Sequence, residues 1–122
     1  MIDMIAYIAV PYSFQSLASQ NEAIVYLNKH IASFTKKNPK YTAVNALYTL
    51  YKNPFAPDGP VVDKLAYPVC RTLIDSADVF VVVQLPGWEY SDILSNECAY
   101  AAHIRKPMTY EAAIEQKLSR NR

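Results

Sequence analysis

Asp78-Val79-Phe80-Val81-Val82-Val83-Gln84 decides the fold. Its five central residues are apolar without interruption, four of them β-branched, and the run is too short for a core helix. A strand with no polar alternation is buried on both faces, which is the position of a central strand in a parallel sheet covered by helices. Upstream, Val62, Leu65, Val69 and Leu73 keep helical spacing, with a bend expected near Pro68. Downstream, Leu85-Pro86-Gly87-Trp88-Glu89-Tyr90-Ser91 leads into a second helix. At the other end of the chain, Met4 to Val10 is an apolar run closed by Pro11 and predicts the first strand. Ser13 or Ser16 can cap the helix after it, whose Leu17, Ile24, Leu27, Ile31 and Phe34 repeat at helical spacing up to Asn38-Pro39. Tyr41 to Tyr51, rich in Tyr, Val, Thr and Leu, predicts a second strand whose end the composition does not fix, and Lys52 to Pro60 a loop. Pro107 to Tyr110 reads as a short strand and Glu111 to about Leu118 as a final helix.

Strands that alternate with helices imply an α/β fold, here one domain spanning residues 1–122. The expected architecture has three layers: a parallel sheet of four to five strands with helices on both faces. The first and third strands are central and adjacent. Such sheets bind ligands beyond the carboxyl ends of their strands. That edge is built from Val10-Pro11-Tyr12-Ser13 and Leu85-Pro86-Gly87-Trp88.

The chain is 52% hydrophobic and 19% charged, which excludes a disordered polymer. With a net charge of +1 and only the short basic groups Lys36-Lys37 and Arg120-Asn121-Arg122, it lacks the cationic surface that double-stranded nucleic acid requires. Cys70 and Cys98 have no CxxC spacing, and His30 and His103 fall on different helices, so no metal site is indicated. Only Gly59 and Gly87 are present, so the glycine fingerprint of dinucleotide binding is missing, and no cofactor is expected. The start Met1-Ile2-Asp3-Met4 has no leader character and no apolar run reaches membrane length, which predicts a cytoplasmic protein without a membrane partner. Ten tyrosines leave aromatic surface for a nucleoside pocket or a homo-oligomer interface, such as one built from Tyr41–Tyr51 or from Tyr90 and Tyr100.

Glu97 is the anomalous residue. On a helix it shares an arc with Tyr100, Ile93, Ile104, Ala101 and Leu94, while Ser95, Asn96 and His103 face the other way. A carboxylate on a core-facing stripe needs either a buried hydrogen-bond partner or a chemical task. Tyr7, on the neighbouring strand, carries a hydroxyl that also needs a partner. Ser91 is a helix cap, and the amides behind it can receive a phosphate. Trp88 and Tyr90 on the ligand edge can stack on a base or cover the pocket. Asp78 can satisfy turn backbone groups or take part in the chemistry.

Tyr7-Ile8-Ala9-Val10-Pro11-Tyr12-Ser13, Asp78 with its strand, Pro86-Gly87-Trp88-Glu89-Tyr90-Ser91, and Glu97 six residues after that serine, followed by Ala101 and Lys106-Pro107, form an ordered set. Together they resemble the nucleoside 2-deoxyribosyltransferase-like superfamily, in particular its small phage and bacterial members and the deoxynucleoside 5′-monophosphate N-glycosidases. The resemblance implies a Rossmann-like or flavodoxin-like domain and an oligomer that completes its sites across subunit contacts. It implies that Glu97 attacks the anomeric carbon of a nucleoside or nucleotide, that Tyr7 orients the carboxylate, and that Ser91 contacts the phosphate or 5′-hydroxyl. Trp88, Tyr90, Pro11, Tyr12, Gly87 and Asp78 complete the expected substrate-binding set. Five positions depart from the pattern. Ile93 stands for a glycine, Cys70 for an acid that helps bind or protonate the base, Asn45-Ala46 for Ser-Pro, and Val10 for a glycine before the opening proline. The nucleophile is retained while base and phosphate recognition are altered.

Three functions follow as expectations: cleavage or exchange of an N-glycosidic bond, nucleotide binding without turnover, or a structural subunit in which Glu97 is fully engaged internally. An open cavity reaching Glu97 from the Trp88 side favours the first. Closure by Ile93 favours the other two.

Overall fold

The computed structural model describes residues 4–13, 16–50 and 63–114. Four strands, β1 (Met4–Ala9), β2 (Tyr41–Val44), β3 (Val79–Gln84) and β4 (Met108–Ala112), form one sheet in the order β2-β1-β3-β4. Every pairing is parallel, with Met4 beside Tyr41, Tyr7 beside Phe80 and Val82 beside Tyr110. Helices α1 (Leu17–Lys37), α2 (Ala46–Leu50), α3 (Asp63–Ser76) and α4 (Asp92–His103) make the crossovers. The fold is therefore the three-layer, Rossmann-like α/β architecture, with β1 and β3 central and adjacent as predicted.

Alternation along the two central strands separates the core into two halves. Ala6, Ile8, Val10, Val81 and Val83 point to α1, where they meet Ala23, Leu27 and Phe34. Tyr7, Ala9, Phe80 and Val82 point to the other face, against Cys70 and Ile74 of α3 and Leu94 and Ala101 of α4. Tyr7, Phe80, Val81 and Val82 have no exposed surface, so each contributes roughly 1.5–3 kcal/mol of burial. The Tyr7 and Phe80 rings stack at 5.5 Å with planes 4° apart, a direct result of their register.

Local chemistry sets the ends of the elements. Ser16 caps α1 by accepting from the Ser19 amide, and Lys36 and Lys37 complement the negative end of its dipole. Asn38 closes α1 through its side-chain amide to the Phe34 carbonyl at 2.9 Å. Its buried face differs from the expected apolar one. Gln20, Ala23, Leu27, His30 and Phe34 turn inward, Ile24 and Ile31 are half-buried, and Leu17 is 42% exposed.

Two expected elements are corrected. The second strand does not continue to Tyr51 but ends at Val44. Asn45 then accepts from the Tyr48 amide through Oδ1 at 3.1 Å and starts α2, so an N-cap overrides the strand-favouring composition of the residues after it. Glu111 does not open a helix: it and Ala112 extend β4, where they pair with Val83 and Gln84. The rest of that predicted helix and the loop from Lys52 to Pro60 lie outside the described residues. Pro68 sits inside α3, as the sequence requires. No helix among the described residues is long and apolar enough to cross a membrane.

Candidate active site

Glu97 is the sixth residue of α4 and lies on its buried face with Ile93, Leu94 and Ala101. It is 2% exposed. Its Oε2 accepts two hydrogen bonds, from the Tyr7 hydroxyl at 2.6 Å and from the Cys70 thiol at 3.0 Å. The Tyr7 oxygen in turn accepts from the Ala46 amide at 3.3 Å, and its one proton has Glu97 Oε2 at 2.6 Å as its nearer acceptor and the Cys70 sulfur at 3.6 Å as its farther one. Asn45 fixes that amide's position: its Nδ2 donates to the Ile8 carbonyl at 2.6 Å and ties the start of α2 to β1. Both donors converge on one oxygen. Oε1 is buried and has no hydrogen-bond partner.

This arrangement decides the protonation states. Burial pushes the Glu97 carboxyl up to about 7, and the Tyr7 and Cys70 hydrogen bonds pull against that rise. Burial, then the neighbouring Glu97 carboxylate, pushes the Tyr7 hydroxyl well above its ordinary value. The Cys70 thiol rises for the same two reasons. Both groups therefore remain donors at neutral pH, while Glu97 is divided between acid and carboxylate. A carboxylate held by two fixed donors, with its second oxygen uncommitted, can act as a nucleophile or as a general base.

Two cavities flank this cluster. The larger, about 600 Å³, lies at the carboxyl edge of the sheet and falls within the usual range of small-molecule sites. Pro11, Tyr12, Tyr90, Ser91 and Ile93 are in its wall. The smaller, about 240 Å³, opens between α3 and α4 and is bordered by Glu97, Cys70, Tyr67, Arg71, Asn96 and Tyr100. Tyr67 belongs to both walls. Its hydroxyl accepts from Asn96 Nδ2 at 2.9 Å. Ile93, in the larger cavity, and Glu97, in the smaller, are one turn apart on α4, about 6 Å along the axis. Glu97 is thus approached through the gap between α3 and α4 and not from the Trp88 side.

The expected site residues separate into groups. Glu97 and Tyr7 meet as the sequence predicts. Pro11, Tyr12, Tyr90 and Ser91 share the larger cavity, where the Ser91 hydroxyl caps α4 by accepting from the Leu94 amide at 3.2 Å. Trp88 packs half-buried on the core cluster of Ala9 and Leu94, with its ring 6.0 Å from that of Tyr110, and is not in the wall of either cavity. Gly87 adopts φ 83°, a left-handed turn that glycine takes without strain, and serves the backbone rather than a cavity wall. Asp78 sits at the amino end of β3, on the opposite edge of the sheet. There its Oδ2 accepts from the Ile5 amide at 2.7 Å, the backbone role rather than the substrate-binding one.

Arg71 and Tyr67 were not anticipated at the site, whereas the resemblance set Cys70 in the place of an acid and Asn45-Ala46 in that of Ser-Pro. The residue pattern also bears on Cys70: Tyr67, Cys70 and Ile74 recur at helical spacing, which puts the thiol on an inward face. Its contact with Glu97, 27 residues away, is set by how α3 and α4 pack. Among the described residues no cluster of His, Cys, Asp and Glu could hold a metal ion.

Fold and site together define a parallel α/β protein with a buried, tyrosine-anchored carboxylate beside a helix–helix cavity. Residues 4–112 match the family model of a domain of unknown function, DUF1937, and the chain belongs to that family. No curated protein and no solved structure matches it.

Proposed function

We propose that the protein cleaves or exchanges the N-glycosidic bond of a nucleoside or nucleoside 5′-monophosphate, with Glu97 as nucleophile. The observation that carries this reading is the asymmetry of the carboxylate: Oε2 is fixed by Tyr7 and Cys70 while Oε1 has no hydrogen-bond partner, in a residue that belongs to the wall of the smaller cavity. Oε1 attacks the anomeric carbon, the carbon–nitrogen bond breaks, and the base leaves with the bonding pair and takes a proton from water. Water or a second base then attacks the glycosyl ester and returns the carboxylate. Tyr7 and Cys70 hold the ionised form ready without accepting its proton. Because Oε1 is buried, substrate contact requires α3 and α4 to part at Tyr67.

A second reading, nucleotide binding without turnover, is favoured by one observation: the wall of the larger cavity contains Ile93 and not Glu97. Incubation with a panel of nucleosides and 5′-monophosphates, followed by chromatography for free base, separates the two. Base released by the wild type and not by Glu97→Gln supports catalysis. Saturable binding with no base released supports the second reading. The resemblance also leads us to expect a homo-oligomer, and Tyr48 and Tyr90, 51% and 88% exposed, are available to such an interface. Light scattering at micromolar concentration should give a mass above the 13.8 kDa of one chain.

A further inference from the structure

Val44 pairs with Tyr7, so the chain leaves β2 beside that residue and turns at once into α2. Asn45, fully buried, fixes the turn. Its Nδ2 donates to the Ile8 carbonyl at 2.6 Å, its Oδ1 accepts from the Tyr48 amide at 3.1 Å, and its carbonyl accepts from the Thr49 amide at 3.0 Å. Ala46, the first residue of α2, is thereby held with its amide nitrogen 3.3 Å from the Tyr7 oxygen. This donor differs in kind from the rest of the cluster. Tyr7, Cys70 and a protonated Glu97 can each give or take a hydrogen bond, so among themselves they have no fixed direction. A backbone N–H can only give. It fills one acceptor position of the Tyr7 oxygen and polarises the hydroxyl, whose acceptors are Glu97 Oε2 at 2.6 Å and the Cys70 sulfur at 3.6 Å. The donor is a feature of this sequence: Asn45-Ala46 stands where the resembled pattern has Ser-Pro, and a proline brings no N–H.

We propose that the Ala46 N–H, held by Asn45, is a positioning group for Glu97: it sets the direction of the Tyr7 hydrogen bond and so keeps the carboxylate ionised and ready to react. This rests on the reading of Glu97 as nucleophile and deepens it. Without that N–H the Tyr7 oxygen has an acceptor position open, to which a protonated Glu97 can donate. The acid form gains a partner, the carboxylate loses its shorter donor, and Glu97 holds its proton to higher pH. Burial already pushes this carboxyl up to about 7, so its ionised fraction at neutral pH responds to a small change. The other groups that face Glu97 are Tyr12 after β1, Tyr67, Arg71 and Tyr100 in the wall of the smaller cavity, and Cys98 beside it on α4. All of them stay in place in the variants below.

The test is the titration of the Glu97 side chain in the full-length protein, followed by NMR of its carboxyl carbon and assigned by loss of the signal in Glu97→Gln. Ala46→Pro deletes the N–H at the first position of a helix, where proline is best tolerated, and Ala46→Gly is the control that keeps it. The Glu97 midpoint should rise by roughly half a pH unit in Ala46→Pro, rise also in Asn45→Ala, and stay unchanged in Ala46→Gly. The acid limb of base release against pH should move by the same amount. In the wild type the Ala46 amide resonance should follow the Glu97 titration, and in Tyr7→Phe it should not. That pair of spectra carries the test even if the proline variant does not fold. An unmoved midpoint in Ala46→Pro or in Asn45→Ala overturns the inference and leaves the N-glycosidic reading standing. So does an equal rise in Ala46→Gly, or an Ala46 resonance that ignores the Glu97 titration. Absence of base release from the wild type at every pH overturns the N-glycosidic reading instead, with the titration shifts unaffected.

Discussion

Replacing Glu97 by glutamine tests the burial argument through stability, independently of any substrate. A glutamate whose carboxyl is raised from 4.5 to about 7 holds its proton in the folded state over a pH range where the unfolded chain has lost it. The folded state binds more protons in that window, so stability falls as pH rises from about 4.5 to about 7 and stays low above it. The difference, about 2.5 pH units at 1.36 kcal/mol each, is about 3 kcal/mol. Glutamine has the same shape and no titration, so the slope should vanish in Glu97→Gln. Differences in packing or in hydrogen bonding of the amide are independent of pH and cancel when one pH is compared with another. The stability of the variant relative to wild type should therefore rise by about 3 kcal/mol between pH 4.5 and pH 8. For 122 residues at ~2.1 cal/mol/K each, that is roughly 10 °C in Tm. Thermal and urea melts of both proteins at three or four pH values measure it. A stability difference that is the same at pH 4.5 and pH 8 would refute the reasoning, because it would mean that Glu97 does not change its proton affinity on folding.

Other outcomes follow from neighbouring groups. Tyr7→Phe removes a donor to Glu97 and the acceptor of the Ala46 amide, so it should cost about 1–3 kcal/mol at pH 8 and raise the Glu97 titration midpoint, read from the pH dependence of melting. His30 is buried with Nε2 accepting from the Ile114 amide at 3.2 Å and Nδ1 3.9 Å from Glu111, and burial lowers its proton affinity. A histidine lowered below 6.5 on folding loses stability as pH falls below that value, so His30→Gln should flatten the acid limb of the stability profile. Tyr67→Ala removes the wall common to the two cavities, and Glu97 should then react faster with a water-soluble carbodiimide, followed by peptide mass spectrometry.

Much of this architecture was legible in the sequence because its signals are local. The run Val79–Val83 has one stable setting, between two helical layers, and Glu97 stood out because helical spacing alone puts it among Ile93, Leu94 and Ala101. The failures have equally specific causes. Tyr41–Tyr51 has a strand-like composition throughout, and only the side chain of Asn45, acting as a cap, turns its second half into a helix. On α1 the apolar pattern pointed to Ile24 and Ile31, whereas Gln20 and His30 face the core because each has a partner there: the Ser13 carbonyl for Gln20 and the Ile114 amide for His30. Glu111 extends β4 because β3 offers it a pairing partner, a tertiary effect with no local mark. The route to Glu97 depends on the packing of α3 against α4, which brings Cys70 and Tyr67 to it from nearly thirty residues away.

The central claim is that Glu97 forms a glycosyl ester. Its most direct measurement is the mass of the protein quenched in acid during incubation with nucleosides, followed by mapping of the modified peptide. The expected result is a mass increase of one glycosyl unit on the peptide containing Glu97, with free base in solution and neither signal in Glu97→Gln. Base released at the wild-type rate by Glu97→Gln, or a glycosyl adduct on any other residue, would contradict it.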